Sequence, residues 1–217
     1  MQVQKQSLII FAIWAVLVGE ILFSAVTARW SMVFVASLTL FISILPLLFA
    51  GRFHIFLPMG FLIWIVIFTF STIYLGEAFG FYERYWWWDI LLHGGSAIGF
   101  GLIGFIFVFI LFQGDRYAAP PWAMGFMAFC LAVAIGTTWE IFEFGMDQVF
   151  GMNMQKSGLV DTMSDLIVDM LGASVGAFSG FLYVKGRSAG GLTSLIDEFV
   201  SHNRRLFRKI SRKPPSD

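Results

Sequence analysis

Six long apolar stretches constrain this chain more than any other feature of its sequence. They lie at about 8–27, 31–50, 55–75, 89–112, 122–146 and 162–184. Each is long enough to cross the hydrocarbon core of a bilayer, which takes about 20 residues of helix. With 58% hydrophobic and only 13% charged residues, the chain is too apolar for a soluble domain of this size. The sequence therefore predicts an all-α, polytopic transmembrane helical bundle of about six spans.

The connections between the stretches are short, which favours one transmembrane domain over residues 1–184, followed by a basic tail over residues 185–217. The sequence shows no internal repeat of the kind found in inverted-repeat transporters. A cleavable signal peptide is the alternative for the N-terminus, because small residues occur at 25–28. The length of the first apolar stretch, and Glu20 within it, favour a retained helix instead.

The basic residues predict the orientation of the helices. If both termini face the cytoplasm, eleven of the 14 basic residues lie inside, most of them in the tail. The other three, Arg29, Arg84 and Lys156, lie outside. We therefore expect a multi-pass protein of the bacterial plasma (inner) membrane with both termini cytoplasmic. Membrane lipid is the expected partner, and the chain could act alone, as a homo-oligomer or within a membrane complex.

The tail from Thr193 to Arg212 has apolar residues spaced among basic ones, at Leu195, Phe199, Leu206 and Ile210. This pattern predicts an amphipathic cytoplasmic helix that lies on an anionic leaflet. A frayed, merely soluble tail is the alternative interpretation.

Acidic side chains and one histidine interrupt the apolar stretches, all toward the predicted extracytoplasmic side. They are Glu20 in the first stretch, Asp89 and His93 in the fourth, Glu140, Glu143 and Asp147 in or just after the fifth, and Asp161, Asp165 and Asp169 at the start of the sixth. At about 100° per residue, the three acids of the fifth stretch fall within about 60° of one another, and those of the sixth within about 80°. The sequence therefore predicts that polar faces of several helices meet near one leaflet.

The charge of these acids needs compensation. Eight carboxylates lie in or beside the stretches, which contain no lysine or arginine. An ionisable residue inside a membrane helix is costly, by roughly 2.5–3.5 kcal/mol for an aspartate, and is a functional hypothesis by default. For Asp89, Asp147 and Asp161, at the borders, simple contact with water is the competing interpretation. For the deeper acids, the compensating cations are protons or metal ions.

An oxygen-rich ligand set with one imidazole suits Mg²⁺, Mn²⁺, Ca²⁺ or iron, and zinc less well. The predicted ligands of this divalent metal are Asp89, His93, Glu140, Glu143, Asp161 and Asp165, with Glu20, Asp147, Thr162 and Asp169 as accessory residues. The number of acids also admits a two-metal site. If protons compensate the charge instead, the same acids could relay H⁺.

Small residues that allow close helix packing recur in two stretches, at Gly172, Gly176 and Gly180 and at Gly95, Ala97, Gly99 and Gly101. Such steps let helix backbones approach closely in a membrane. We expect them to bring the acidic parts of the fourth and sixth helices together.

Three blocks of the sequence resemble the YjdF-like integral membrane proteins, a bacterial family of unknown function, and more distantly the VanZ-like membrane proteins. The blocks are "YWWWDILLHGGSA" (85–97), "TWEIFEF" (138–144) and "QKSGLVDTMSDLIVDMLGA" (155–173). The family pattern places Asp89 four residues before His93, then the Glu140 and Glu143 pair, then an Asp-Thr-x-x-Asp run at 161–165. The resemblance covers about residues 80–180 and implies no reaction, because the family has none assigned.

Three functions fit these features. The first is a metal-dependent membrane hydrolase or transferase acting on lipid or lipid-linked substrates, in which His93 or Glu143 moves a proton. The second is a proton- or cation-coupled transporter or channel, and the third is a structural or accessory membrane subunit. No Gly-x-Ser-x-Gly, His-Glu-x-x-His or phosphate-loop motif is present. Nucleic acid is not an expected partner, because basic residues are sparse outside the tail.

Overall fold

The computed structural model describes residues 8–187 and 190–207, and these residues form helices and connecting loops without a β-strand. The helices are α1 (Leu8–Val26), α2 (Trp30–Arg52), α3 (Met59–Thr69), a π-helix (Phe70–Ala78), α4 (Phe81–Arg84), α5 (Trp88–Leu111), α6 (Pro121–Phe150), α7 (Leu159–Val184), α8 (Leu192–His202) and a 3₁₀ turn (Arg204–Leu206). Among the basic residues used above to predict the orientation, Lys5 and those from Arg208 onward lie outside the described residues.

Six of these helical segments are long and apolar enough to cross a membrane: α1, α2, α3 continued by the π-helix, α5, α6 and α7. Many of their large apolar side chains are exposed, among them Phe34 and Phe107, as expected for surfaces that face lipid. The predicted all-α fold with about six spans is therefore confirmed. The predicted orientation stays a prediction.

The chain divides into two compact units, Met1–Trp88 and Asp89–Asp217. The predicted boundary near residue 184 stays a prediction. In the first unit α1 packs against α2. Its buried residues form two small apolar clusters, one around Ile10, Leu62 and Val66 and one around Leu17 and Tyr74.

The third span of the first unit differs from its predicted range of 55–75. It begins at Met59, after Pro58, and continues to Ala78 because a π-helix follows α3 without a break. A π-helix is rare in proteins and is often found near functional positions. At Gly76 it packs so closely on the ring of Tyr82 that a side chain at this position would overlap with the ring.

The second unit is built from α5, α6, α7 and α8. The start of α6 is favoured by Pro121 in its first turn, where the missing N–H costs no helical hydrogen bond. Gly151 ends the helix in a left-handed conformation, with φ of 66°. The helix α7 packs against both α6 and α8. One face of α7 is buried over its whole length, from Asp165 to Tyr183.

Backbone contact at glycines joins α5 and α7. A side chain on Gly172 would overlap with the carbonyl oxygen of Gly94, and one on Gly176 would come within 2.5 Å of that of Ile98. The close approach expected at Gly172, Gly176 and Gly101 is therefore confirmed. The expectation was wrong for Gly95 and Gly99, because a side chain added at either would meet no other atom within 4 Å.

The predicted amphipathic helix of the tail is present as α8, which ends at His202; the last part of the predicted segment, with Ile210 and Arg212, lies outside the described residues. Its apolar face, which includes Ile196, Phe199 and Val200, is buried. The ring of Phe207 lies 5.5 Å from that of Phe109 on α5. This face therefore packs against the second unit itself, an arrangement that neither the leaflet-bound helix nor the frayed tail anticipates.

Candidate metal centre

The candidate metal centre lies in the second unit and takes its side chains from three helices. Asp89 and His93 stand one turn apart at the start of α5. Glu140 lies in the second half of α6. Asp165 and Asp169 follow one another by one turn on the buried face of α7. Because residues four apart share a helix face, each helix directs its polar groups to one side.

The imidazole of His93 lies at the centre of the group. Its Nδ1 is hydrogen-bonded to Oδ1 of Asp169 at 3.3 Å. Its Nε2 lies 3.8 Å from Oδ1 of Asp89 and 3.8 Å from Oε1 of Glu140. One ring therefore contacts carboxylates from α5, α6 and α7.

Asp165 completes the arrangement on the α7 side. One ligand atom from each of Asp89, His93 and Asp165 lies within 4.8 Å of the other two. Oxygen ligands of divalent cations bind at about 2.0–2.6 Å, so two ligands of one ion lie at most about 5 Å apart. The three atoms are therefore spaced closely enough to share one ion.

The deepest acids of the centre are almost fully buried. Glu140 and Asp169 are each 3% exposed and Asp165 is 2% exposed. Both carboxylate oxygens of Glu140, and Oδ2 of Asp165 and of Asp169, have no hydrogen-bond partner within the described part of the chain. Buried polar groups are nearly always paired, so this is a departure from the usual rule at four atoms of one site.

A glycine on α6 makes room for one of these acids, and sequence reasoning missed it. A side chain on Gly136 would overlap with the carboxylate of Asp169. Gly136 stands one turn before Glu140, so its position on the acidic face of α6 is the signal that could have identified it. Glycine here lets Asp169 reach the imidazole of His93.

Two other predicted residues of α6 have local partners. Glu143 accepts a hydrogen bond of 2.8 Å from the indole N–H of Trp139 on the same helix. Asp147 accepts hydrogen bonds from the backbone N–H groups of Met154 and Gln155, at 2.7 and 2.9 Å. The carboxylate of Asp147 therefore holds the loop after α6 in place. The predicted roles of both residues at the metal stay predictions.

The first turn of α7 lies beside the centre. Asp161 is half-buried there and interacts electrostatically with Asp89 and Asp165. The hydroxyl of Thr162 accepts a hydrogen bond from the side-chain amide of Gln155 and lies next to Glu140.

Basic groups are scarce around the centre. Lys156, on the loop before α7, is close enough to interact electrostatically with Asp89 and Asp161, at the edge of the centre. The helices α5, α6 and α7 themselves contain no lysine or arginine. His93 is therefore the side chain of these three helices that can carry a positive charge beside the interior acids.

Glu20, the remaining predicted accessory residue, belongs to the first unit. Its Oε1 accepts a hydrogen bond of 2.6 Å from Ser24, one turn later on α1, and Tyr74 lies close enough to interact electrostatically with the same carboxylate. This acid is thus satisfied by partners within its own unit.

Comparison with known proteins places the chain among membrane proteins. A family model described as "Predicted membrane protein (DUF2238)" matches residues 8–186. A protein of Thermotoga maritima described as an uncharacterized protein is 38% identical over 98 residues, which are 45% of this chain and 50% of that relative. The match thus spans about half the length of the relative. No solved structure matches the chain.

Proposed function

As a member of the DUF2238 family of predicted membrane proteins, the chain is a membrane protein with a carboxylate and histidine group, and we propose that this group binds a divalent metal ion. The group is defined by Asp89, His93, Glu140, Asp165 and Asp169. We further propose that the bound ion serves reactions of lipid or lipid-linked substrates at the extracytoplasmic leaflet.

The observation that carries the proposal is the burial of carboxylate oxygens without partners. Glu140, Asp165 and Asp169 are nearly inaccessible, and four of their oxygens lack a hydrogen bond from the described residues. Burial of an ionised carboxylate without a compensating charge is very unfavourable. One imidazolium supplies at most one positive charge, so a divalent ion would balance the group better than His93 alone.

The chemistry of the donors supports a hard or intermediate cation. Carboxylate oxygens dominate, and a single imidazole is present, a set that suits Mg²⁺, Mn²⁺, Ca²⁺ or Fe²⁺. Within the second unit, the hydrogen bond from His93 to Asp169 resembles the partner that commonly orients a ligating histidine. Asp169 would then act through His93, and Nε2 of His93 would face the ion.

The distribution of polar residues favours this site over a path for protons or ions through the second unit. Beyond His93, the buried side chains of α5 are apolar: Leu102, Phe105, Ile106, Val108 and Phe109. A relay needs polar groups that continue to the other side. On α7 the buried polar groups beyond Asp169 are Ser179 and Tyr183, which are too few for a continuous relay. The acids are therefore gathered on one side of the second unit, which suits a bound ion better than transport.

When bound, a metal ion of this kind polarises a phosphoryl or ester oxygen. Asp89 is the most accessible acid of the group, with 29% of its side chain exposed, and His93 lies directly behind it at 11%. Substrate would thus approach from the side of Asp89. Nε2 of His93 would bind the ion, with Asp169 orienting the ring through Nδ1, and a carboxylate such as Glu143 would move the proton.

The proposal is tested by elemental analysis of the detergent-purified protein beside the variant Asp165→Asn. We expect about one equivalent of a divalent metal per chain in the wild type. The metal affinity of the variant should be less than about one hundredth of the wild-type affinity, because loss of an outer-shell partner alone costs 10–100-fold. The matched control is Glu83→Gln, which neutralises an exposed carboxylate of the first unit and should retain the metal.

Wild-type protein that carries no divalent metal, and binds none in calorimetric titration with Mg²⁺, Mn²⁺, Ca²⁺ or Fe²⁺, would contradict the proposal. Liposome flux of protons or cations that disappears in Glu140→Gln would favour the transporter instead.

A further inference from the structure

A second site lies in the second unit, at the opposite end of α5–α7 from the acids. A cavity of about 620 Å³ opens between the loop after α5, the start of α6 and the end of α7. We call it the basic cavity and define it by Arg116, Tyr117, Pro120, Pro121, Lys185 and Gly186. From Asp165 to Lys185, α7 rises by about 30 Å. The basic cavity and the acids therefore face opposite sides of a membrane.

The two cations of the basic cavity are held in place by aromatic rings. The guanidinium of Arg116 lies 4.8 Å from the ring centre of Tyr183, and the ammonium group of Lys185 lies 4.8 Å from that of Phe181. Tyr183 is itself buried against Phe109, with ring centres 5.7 Å apart. Such contacts orient a cation and leave its remaining N–H groups available.

Among the described residues, the nearby acids are Asp115 and Asp197, the second of which interacts electrostatically with Tyr183, and neither forms an ion pair with Arg116 or Lys185. Within residues 8–187 and 190–207, no carboxylate lies within 4.0 Å of the charged groups of Arg116 or Lys185. Asp115, the neighbouring acid in the loop, accepts a hydrogen bond from the backbone N–H of Tyr117. The positive end of the α6 dipole also points at the cavity. The site is therefore suited to an anion.

A separate apolar groove lies between α6 and α7, next to the basic cavity along the chain. It has a volume of about 290 Å³ and is lined by Trp122, Phe126, Phe129, Ser174, Phe178 and Phe181. Phe181 links the groove to the basic cavity, because it lines the groove and Lys185 stacks on its ring. A free phosphate ion would use the cavity alone, whereas a lipid would use both features.

The surrounding aromatic residues indicate the depth of the basic cavity in a bilayer. Tyr117 is 96% exposed and Trp122 is 66% exposed. Tyrosine and tryptophan collect at the level of lipid headgroups, and basic pockets between membrane helices are known to receive anionic headgroups. The cavity would thus lie where a phosphodiester group of a lipid lies.

We propose that the basic cavity and the apolar groove together bind one anionic phospholipid, with its phosphate beside Arg116 and Lys185 and one acyl chain between α6 and α7. The site is independent of the proposed metal. It would fix the protein to lipids of one charge class at the membrane face opposite the acids.

The test is native mass spectrometry of the detergent-purified full chain with phosphatidylglycerol and with phosphatidylcholine of the same acyl chains. We expect the wild type to prefer phosphatidylglycerol. The double variant Arg116→Gln/Lys185→Gln should bind it about thirtyfold more weakly, because each basic group near an anionic headgroup contributes about fivefold in affinity. Arg84→Gln, which removes an exposed cation of the first unit, should bind it like the wild type.

Two further variants separate the contributions. Arg116→Lys/Lys185→Arg keeps both charges and should retain most of the affinity, which guards against a folding defect as the cause of the loss. Ser174→Phe should weaken binding of the lipid by filling the groove. Equal binding of both lipids by the wild type, or an equal loss in Arg84→Gln, would overturn the proposal. If excess inorganic phosphate displaces the lipid and Ser174→Phe has no effect, the cavity binds free phosphate, and the proposal of a lipid is overturned.

Discussion

Acidic and basic side chains lie at opposite ends of α5, α6 and α7, and the two groups have very different surroundings. The acids around His93 are buried, and four of their oxygens lack hydrogen bonds from the described residues. Arg116 and Lys185, at the other end, are exposed and stacked on aromatic rings. Water can solvate the exposed cations when no ligand is bound, whereas the buried acids have no such alternative.

Burial, as well as charge, therefore determines how strongly a site depends on its ligand. The acidic end should depend strictly on its cation, and its loss should alter the stability of the protein. The basic end should bind its ligand more weakly, and the fold should tolerate its absence.

Glu140→Gln, like Asp165→Asn, should weaken metal binding strongly. If the variant binds the metal about 100-fold more weakly, the stabilisation by metal at 100 times the wild-type Kd should fall from about 2.7 kcal/mol to about 0.4 kcal/mol. The measurement is the shift of Tm with added metal in detergent. Binding of phosphatidylglycerol should not change. An unaltered metal-induced shift would mean that the most buried carboxylate of α6 does not contribute to the site.

Gly176→Ala should destabilise the whole second unit by about 2 kcal/mol, since overpacking of a tight contact typically costs 1–3 kcal/mol. The added methyl group would meet the backbone of Ile98 and Gly101 on α5, which cannot move aside as a side chain can. The measurement is thermal unfolding without added metal.

Gly95→Ala is the matched control for this contact. Gly95 faces open space, so alanine there should leave stability unchanged or raise it by up to about 1 kcal/mol through helix propensity. If both substitutions cost the same, close packing of α5 and α7 does not hold the two ends of the second unit together.

Gly136→Ala should have the smallest of these effects, and only at the acidic end. The methyl group would displace the carboxylate of Asp169 and disturb its hydrogen bond with His93. We expect metal affinity to fall about tenfold, as for the loss of an outer-shell partner. Gly145→Ala, on the same helix but in open space, should have no effect. Equal metal affinity in both variants would show that Asp169 does not position His93.

Much of the fold could be predicted from the sequence, because the length of an apolar stretch is a local property. The six spans were found to within a few residues, except that the third continues to Ala78 as a π-helix. The amphipathic pattern of α8 was also evident, since Ile196, Phe199 and Val200 fall on one face. What covers that face was not, because α7, against which α8 packs, and Phe207, which contacts Phe199, are placed by the tertiary fold.

The candidate site was predictable in part. The types of residue and their helices followed from the acids in apolar sequence, and Asp89, His93 and Asp165 lie close together in the structure. The local partners of Glu143 and Asp147 were not predictable, because they depend on a side-chain conformation and on the path of the loop after α6. Asp169 was treated as accessory, although its carboxylate makes the shortest contact with His93.

Hydrophobicity and charge along the chain are enough to establish that it crosses a membrane about six times and that its interior acids outnumber its interior cations. Only the tertiary structure decided which acids face one imidazole and which find partners nearby. These contacts depend on the distances between helices, which close approaches at glycines set: Gly176 lies against the backbone of α5, and Gly136 leaves space for the carboxylate of Asp169.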